Sequence, residues 1–183
     1  MKDCSSSVAS IVKDDILDLS QCPENDFERE RMRNIPYASA VGSFMYVQVC
    51  TRPYISYAIE VLRRYQSNPG VDHWIAAKKV MRYLQGTKDF MLMYRKIDVL
   101  KMIGYSDSDY AGCIDTRKSI SGYVFMLAGG AVSWRSAKQS ITATSNMEAE
   151  FVSCFEASLH GVWLKIFISE LKVVDSISRP IKL

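Results

Sequence analysis

The chain has 183 residues, of which 48% are hydrophobic, so it can bury the core of one domain or two small ones, and a disordered chain is excluded. Its net charge is only +3, which by itself does not identify a nucleic-acid binder. Positive charge is nevertheless concentrated between residues 52 and 101, which carry ten Lys or Arg against four Asp or Glu, while residues 1–34 are acidic.

The cysteines indicate the cellular setting. The five of them are odd in number, widely spaced and never arranged as Cys-x-x-Cys, which argues against both a disulfide framework and a zinc site. The N-terminal residues contain no apolar signal core, and no run approaches the roughly 18 apolar residues of a membrane span. We therefore expect a soluble protein in a reducing, cytoplasmic setting, with access to the nucleus left open.

The first half of the chain predicts helices. Residues 1–34 are polar, with little periodicity, and are expected to form an extended lead-in. Residues 35–96 contain three one-sided apolar patterns and predict a small helical region. These patterns are Ala38, Val41 and Met45; Ile55, Ala58, Ile59 and Leu62; and Trp74, Ala77, Met81 and Leu84. Asp72 can cap the third helix, which Gly86 ends.

After residue 88 the apolar pattern changes to one that is typical of strands. The predicted strands are Phe90 to Tyr94, Lys101 to Asp107, Ser121 to Leu127, Ala131 to Arg135 and a shorter one at Ser140 to Ala143. Gly129 and Gly130 can supply the positive φ angles of a tight hairpin, so the strands on either side of them should be antiparallel neighbours.

A long helix follows the strands. Its apolar residues recur at helical spacing and are Met147, Phe151, Cys154, Phe155, Leu159, Val162, Trp163, Ile166 and Phe167. Arg179 to Leu183 then has the character of a further strand at its beginning. Strands, a helix and a strand again predict an α+β fold, with a mixed sheet that is truncated at this point.

Two acidic segments could carry chemistry. Asp107 and Asp109 lie at the exit of a predicted strand, where Asp usually marks only a turn. Ser145 and Glu148 form a capping-box pattern at the start of the long helix, so Glu148 already has a structural role. Glu150 has none beyond a favourable interaction with the helix dipole, and for an isolated helix that interpretation is the simpler one.

Ordered motifs along nearly the whole chain resemble those of copia-type retrotransposon Pol polyproteins. They are Ile35-Pro36-Tyr37-Ala38-Ser39-Ala40-Val41-Gly42-Ser43, Cys50-Thr51-Arg52-Pro53, Arg82-Tyr83-Leu84-Gln85-Gly86-Thr87, Tyr105-Ser106-Asp107-Ser108-Asp109, Thr116-Arg117-Lys118-Ser119, Ser121-Gly122-Tyr123, Ala131-Val132-Ser133-Trp134 and Glu148-Ala149-Glu150-Phe151. Tyr54 departs from the family pattern, which usually has Asp after Thr-Arg-Pro.

The resemblance implies a helical thumb or connection region of the reverse transcriptase over residues 35–96. It implies a ribonuclease H-like domain over residues 97–183, incomplete at its C-terminus. By the same resemblance, Asp107 and Glu150 are expected to be catalytic residues and metal ligands for Mg²⁺. We expect Mg²⁺ to bind weakly or not at all here. The family's third and fourth carboxylates are expected further downstream, and Asp175 is not a substitute. The paired-aspartate motif of the polymerase palm is absent from this sequence, so DNA synthesis is excluded.

The expected partners are an RNA–DNA hybrid or another nucleic acid, and the remainder of the Pol polyprotein. The basic residues that could contact a phosphate backbone are Arg63, Arg64, Lys78, Lys79, Arg82, Lys88, Arg117 and Lys118. A solvated helix face is the alternative for them. Two alternatives to a hydrolase also stay open, namely a catalytically inactive nucleic-acid-binding fragment and a remnant of a degraded element.

Overall fold

A computed structural model describes residues 5–7, 9–11, 15–96, 100–171 and 181. The chain divides into two compact units, Met1–Phe90 and Met91–Leu183. The first is helical over its described residues, and the second combines an antiparallel sheet with one long helix. The predicted α+β class is confirmed.

The first unit contains four α-helices among its described residues: α1 (Asp26–Arg33), α2 (Tyr37–Thr51), α3 (Ser56–Leu62) and α4 (Val71–Gly86). Residues of α2, α3 and α4 form its buried core, together with Ile55. The apolar pattern predicted around α3 is confirmed, because Ile55, Ala58, Ile59 and Leu62 are all buried there. The Tyr37 hydroxyl crosses this core and donates to the Leu62 carbonyl oxygen at 2.8 Å.

Two local predictions in this unit were wrong. Helix α1 occupies part of the expected extended lead-in, because the Asn25 side chain accepts from the Glu28 N–H at 2.9 Å and caps it. Asp72 does not cap α4, since the N-cap residue is Gly70, whose N–H donates to Nδ1 of the buried His73 at 2.8 Å.

The second unit contains the strands β1 (Ile103–Ser108), β2 (Ile120–Leu127) and β3 (Gly130–Lys138), paired antiparallel in that order. The predicted hairpin joins β2 to β3, with Leu127 opposite Gly130. Its positive φ angles fall one residue earlier than expected, at Ala128 (54°) and Gly129 (80°). A two-residue turn of this kind needs both angles positive, so Ala128 adopts a conformation that glycine would adopt at lower cost.

The segments Phe90 to Tyr94 and Ser140 to Ala143 are not strands, contrary to prediction. The first runs as a loop towards the hairpin end, where the Arg95 N–H donates to the Ala128 carbonyl oxygen at 2.8 Å. The strand predicted at Arg179 to Leu183 lies outside the described residues except for Ile181, which has no strand assignment. Ile181 packs against the buried cluster of Met102, Phe125 and Leu164.

Helix α5 (Asn146–Glu170) packs on β1 and β2 with a different face from the one its large apolar residues suggest. The buried residues are small or lie near its end: Ala149, Ser153, Ala157, Gly161 and Leu164. The predicted stripe is exposed instead, for example Phe151 at 69% and Trp163 at 56%. Small side chains let a helix backbone approach a sheet closely, and at Gly161 the space beside the helix is taken by the Phe125 ring.

Among the described residues, α5 is the one helix long and apolar enough, by length and composition, to cross a membrane. This differs from the expectation that no run of the chain approaches the length of a membrane span. The property arises because α5 carries apolar residues both on the face that packs on the sheet and on the opposite face.

Candidate functional site

Asp107 lies one residue before the end of β1, opposite Gly122 of β2, and is exposed. Directly paired residues of an antiparallel sheet point to the same face, and successive residues alternate. Ser108 therefore faces α5, whereas the Asp107 side chain projects from the opposite face of β1. Its backbone, however, contacts the helix: the Ser153 hydroxyl donates to the Asp107 carbonyl oxygen at 2.8 Å.

Glu150 is exposed on α5, three residues before the fully buried Ser153. Residues three apart lie on neighbouring positions of one helix face, so Glu150 is one turn from the residue bonded to Asp107. The Ser153 bond thus fixes the first turns of α5 against the exit of β1. Both predicted ligands emerge at this end of the unit.

Glu148 has a different environment from Glu150. Its carboxylate accepts from both the N–H and the hydroxyl of Thr144, each at 2.7 Å, and these bonds hold the pKa of Glu148 below its usual range. Ser145 caps α5 as predicted, accepting from the Glu148 N–H at 3.1 Å. In a capping box the Glu148 carboxylate would accept from the Ser145 N–H, but here it accepts from Thr144 instead.

Asp109 organises the connection between β1 and β2. Its Oδ1 accepts from the Ile120 N–H at 2.6 Å. The carboxylate also fills the space beside Gly112, where an added Cβ would lie 1.9 Å from Oδ2. Asp109 is therefore committed to the turn, the usual role of Asp at the exit of a strand.

Gln139 was not recognised in the sequence. It follows β3, is 1% exposed, and its Nε2 lies within hydrogen-bond distance of Ser108 Oγ (3.2 Å), Ser121 Oγ (2.9 Å) and the Ala149 carbonyl oxygen (2.9 Å). No spacing rule marks a glutamine at a strand exit as buried. Side chains alternate between the two faces of β3, so the sequence could show only that position 139 lies on the face directed at α5.

The predicted basic residues occupy several environments. Arg63 and Arg64 both pair with the buried carboxylate of Glu60, and the Lys79 ammonium pairs with Asp15. Lys78 and Lys88 are exposed, and Arg82 is half-buried on the same face of α4 as Lys78. In the second unit, Arg117 is exposed with a φ of 55°, and the Lys118 ammonium donates to the Ser140 carbonyl oxygen.

Carboxylate oxygens are the possible metal ligands at the end of β1. In the described part of the chain, no three or more His, Cys, Asp or Glu side chains come together as a metal site. Asp107 and Glu150 supply carboxylate oxygens, the ligands that Mg²⁺ takes from proteins while it keeps several waters. By ligand type the two carboxylates therefore suit Mg²⁺, and by number they fall short of the three or more side chains of a described metal site.

Comparison with known proteins gives several similar sequences, whereas no protein-family model and no solved structure matches the chain. The Pol polyprotein of transposon TNT 1-94 from Nicotiana tabacum is 46% identical over 156 residues, which are 85% of this chain and 12% of the relative. The Pol polyprotein of transposon RE2 from Arabidopsis thaliana is 39% identical over 144 residues, or 79% of this chain and 10% of that polyprotein.

A third relative is short. Secreted RxLR effector protein 161 from Plasmopara viticola is 47% identical over 135 residues, which are 74% of this chain and 95% of that protein. Much of the same stretch therefore occurs both inside long polyproteins and as nearly the whole of a short chain.

Proposed function

Because the chain belongs to the family of copia-type retrotransposon Pol polyproteins, we propose that its second unit contributes two carboxylates, Asp107 and Glu150, to a ribonuclease H site. The intact polyprotein would degrade the RNA strand of an RNA–DNA hybrid. The observation that supports this most directly is the 2.8 Å bond from Ser153 to the Asp107 carbonyl, which holds the Glu150 turn of α5 at the exit of β1.

The reaction requires from the protein mainly negatively charged side chains held in the right positions. When Mg²⁺ is bound, a site of this class activates a water and stabilises the leaving oxygen of the phosphodiester. Asp107 and Glu150 would hold the ion through their carboxylates. Ser153 fixes the two elements together, and Glu148 holds the start of α5 through Thr144. The residues that touch the ion are thereby separate from those that build the scaffold.

The chain spans about one-eighth of the tobacco polyprotein and a tenth of the Arabidopsis one, so activity of the whole belongs to this proposal. Within it, the first unit takes the role of a thumb or connection region. Mg²⁺ at the carboxylates, an RNA–DNA hybrid as substrate and an intracellular setting are parts of the same proposal.

Metal binding is tested on the 183-residue chain by titration with Mn²⁺, whose unpaired electrons broaden nearby NMR signals. We expect broadening centred on the amides of residues 107 and 150, reduced in Asp107→Asn and in Glu150→Gln. Glu148→Ala is the matched control, because its carboxylate is engaged by Thr144. Broadening that is centred on residue 148, or that both ligand variants leave unchanged, contradicts the assignment.

Cleavage is tested in the tobacco polyprotein with its aligned stretch replaced by this chain. Asp107→Asn and Glu150→Gln should each abolish hybrid-specific cleavage of RNA, whereas Glu148→Ala should retain it in the folded fraction. Activity that survives in both ligand variants would contradict the proposal.

A second candidate function is binding of a nucleic-acid backbone by the first unit, favoured by the shared position of Lys78 and Arg82 on α4. The described structure gives Arg82 Nε no hydrogen-bond partner although it is buried from solvent. Removing one cation that neutralises a phosphate should reduce the slope of log affinity against log salt by about 0.9 for a duplex. Lys78→Gln and Arg82→Gln should therefore flatten the slope for an RNA–DNA hybrid.

Lys79 provides the control for that experiment. Its ammonium pairs with Asp15, so Lys79→Gln should change the slope less than Lys78→Gln at the neighbouring position. Equal slopes for all variants and the wild type would assign these residues to a solvated helix face.

A further inference from the structure

We propose that Gln139 is a positioning residue that sets the spacing between the Asp107 and Glu150 carboxylates. The inference rests on the proposed ribonuclease H function, but it concerns a residue that binds neither metal nor substrate. It follows from the contacts of the buried Gln139 amide, because two of the residues that it contacts are chain neighbours of Asp107 and Glu150.

Gln139 connects the three elements that meet at the end of β1. Its Nε2 is 3.2 Å from Ser108 Oγ, the residue directly after Asp107, and 2.9 Å from the carbonyl oxygen of Ala149, the residue directly before Glu150. The backbone of Gln139 is fixed as well, since its N–H donates to the Ser119 carbonyl oxygen at 2.8 Å. One side chain therefore joins the immediate neighbours of both carboxylates.

The orientation of the amide follows from its partners. A backbone carbonyl can only accept, so the group that faces Ala149 must be the nitrogen. The Ser108 hydroxyl uses its own hydrogen on the Asp109 carbonyl oxygen at 2.8 Å, which leaves it an acceptor towards Gln139. The second amide hydrogen is thus directed at the pair formed by Ser108 and Ser121, which lie opposite each other in β1 and β2.

Burial makes these hydrogen bonds restrictive. Gln139 is 1% exposed, and its Oε1 is enclosed without a hydrogen-bond partner in the described structure. When the hydrogen bonds of a buried amide break, no water replaces them, so the amide favours one geometry over alternatives. Shifting the start of α5 along or away from β1 would break the bond to Ala149 while Ser108 stayed in place.

The test compares Gln139→Met with Ser133→Ala in the full chain. Methionine has a similar volume but no donor. Ser133→Ala removes a side-chain bond between β3 and α5, from Ser133 Oγ to His160 Nε2 at 2.7 Å, ten residues along the helix from Glu150. Ser121→Ala is the milder companion in case Gln139→Met does not fold, because it removes one partner of the amide and adds no volume.

The two readouts are amide hydrogen exchange along α5 and affinity for Mn²⁺ measured by broadening at residues 107 and 150. Gln139→Met should accelerate exchange over residues 150–154 while residues 163–168 keep wild-type rates. It should also weaken Mn²⁺ by about tenfold, the lower end of the effect of residues that orient metal ligands. Ser133→Ala should do neither.

The outcomes separate the two proposals. If the wild type shows no broadening at residues 107 and 150, the metal site is wrong, and local exchange alone decides whether Gln139 holds the start of α5. If the wild type binds Mn²⁺ and Gln139→Met leaves affinity and exchange unchanged, the positioning role is overturned. Exchange that rises uniformly along α5 would also overturn it, because Gln139 would then only stabilise the fold.

Discussion

The hydroxyl of Ser153 on α5 donates to the carbonyl oxygen of Asp107 on β1 at 2.8 Å, and Ser153 is fully buried where it does so. This bond joins the helix that carries one predicted ligand to the strand that carries the other. It involves the backbone of Asp107, so the carboxylate is left exposed.

Replacing Ser153 by Ala should therefore destabilise the second unit without changing any charge. A buried hydrogen bond of this kind contributes about 0.5–1.5 kcal/mol to the free energy of unfolding. Ser158→Ala is the control, because its hydroxyl bonds to Cys154 within the same helix and is exposed. Denaturant unfolding of both variants would test this, and equal losses would mean that the bond to Asp107 adds nothing.

The His160 imidazole should make the stability of this unit depend on pH. His160 bonds to Ser133 and stacks on Tyr123, with ring centroids 4.9 Å apart. Burial, and then the Arg135 guanidinium, hold the pKa of His160 below its usual 6.5. Burial raises the pKa of the neighbouring Tyr123, the Arg135 guanidinium opposes this, and Glu156 adds a smaller raising effect.

The sign follows from the depressed pKa of His160. The unfolded chain binds the proton more readily, so the stabilisation by the neutral ring is complete above pH 6.5 and is lost as pH falls through the folded value. The free energy of unfolding should thus decrease as pH falls below 6.5, and less in His160→Gln. Glu148, whose pKa is lowered from 4.5, contributes its own loss of stability only at lower pH, as its carboxylate becomes protonated. Parallel profiles for wild type and variant would contradict the role of His160.

The sequence predicted those elements whose signals are local. The apolar spacing around α3, the hairpin between β2 and β3 and the cap at Ser145 each depend on residues close together in the chain, and all three are present. The observed strand ends and the hairpin turn differ from the predicted ones by one or more residues, because backbone pairing rather than residue type determines their positions.

The structural features that were not predicted depend on tertiary contacts, which the spacing of residues in the sequence does not reveal. Helix α5 is apolar on two faces, and the larger side chains are the stronger signal, yet the small residues around Ala157 pack on the sheet. Gln139 becomes important only when β1, β2 and α5 are brought together around it. The closeness of Asp107 to Ser153 spans 46 positions in the chain, so it is likewise a product of the fold.

The exposed apolar face of α5 should cause the isolated chain to self-associate. Phe151, Phe155 and Leu159 are 69%, 55% and 58% exposed, and a contiguous apolar surface is unfavourable in water. Changing all three to Gln should shift the sedimentation profile towards monomer and leave the unfolding temperature nearly unchanged. Phe27→Gln, at a 74% exposed site on α1, is the control. A wild-type chain that stays monomeric at high concentration would contradict this.

Two helical glycines differ in the space beside them. A Cβ at Gly161 would lie 3.0 Å from Cε1 and Cζ of the buried Phe125, whereas a Cβ at Gly42 on α2 would meet nothing within 4 Å. Alanine favours a helix by about 0.5–1 kcal/mol over glycine, and overpacking a core costs about 1–3 kcal/mol. Gly42→Ala should therefore stabilise its unit, and Gly161→Ala should destabilise the other.

The indole signals of Trp74 and Trp134 report unfolding of the first and second unit separately. Gly161→Ala should shift the Trp134 transition to lower denaturant and leave that of Trp74 in place. Gly42→Ala should shift the Trp74 transition to higher denaturant and leave that of Trp134 in place. If Gly161→Ala stabilises the second unit, the Phe125 ring can move aside, and the close approach of α5 to β2 is not what selects small residues on its buried face.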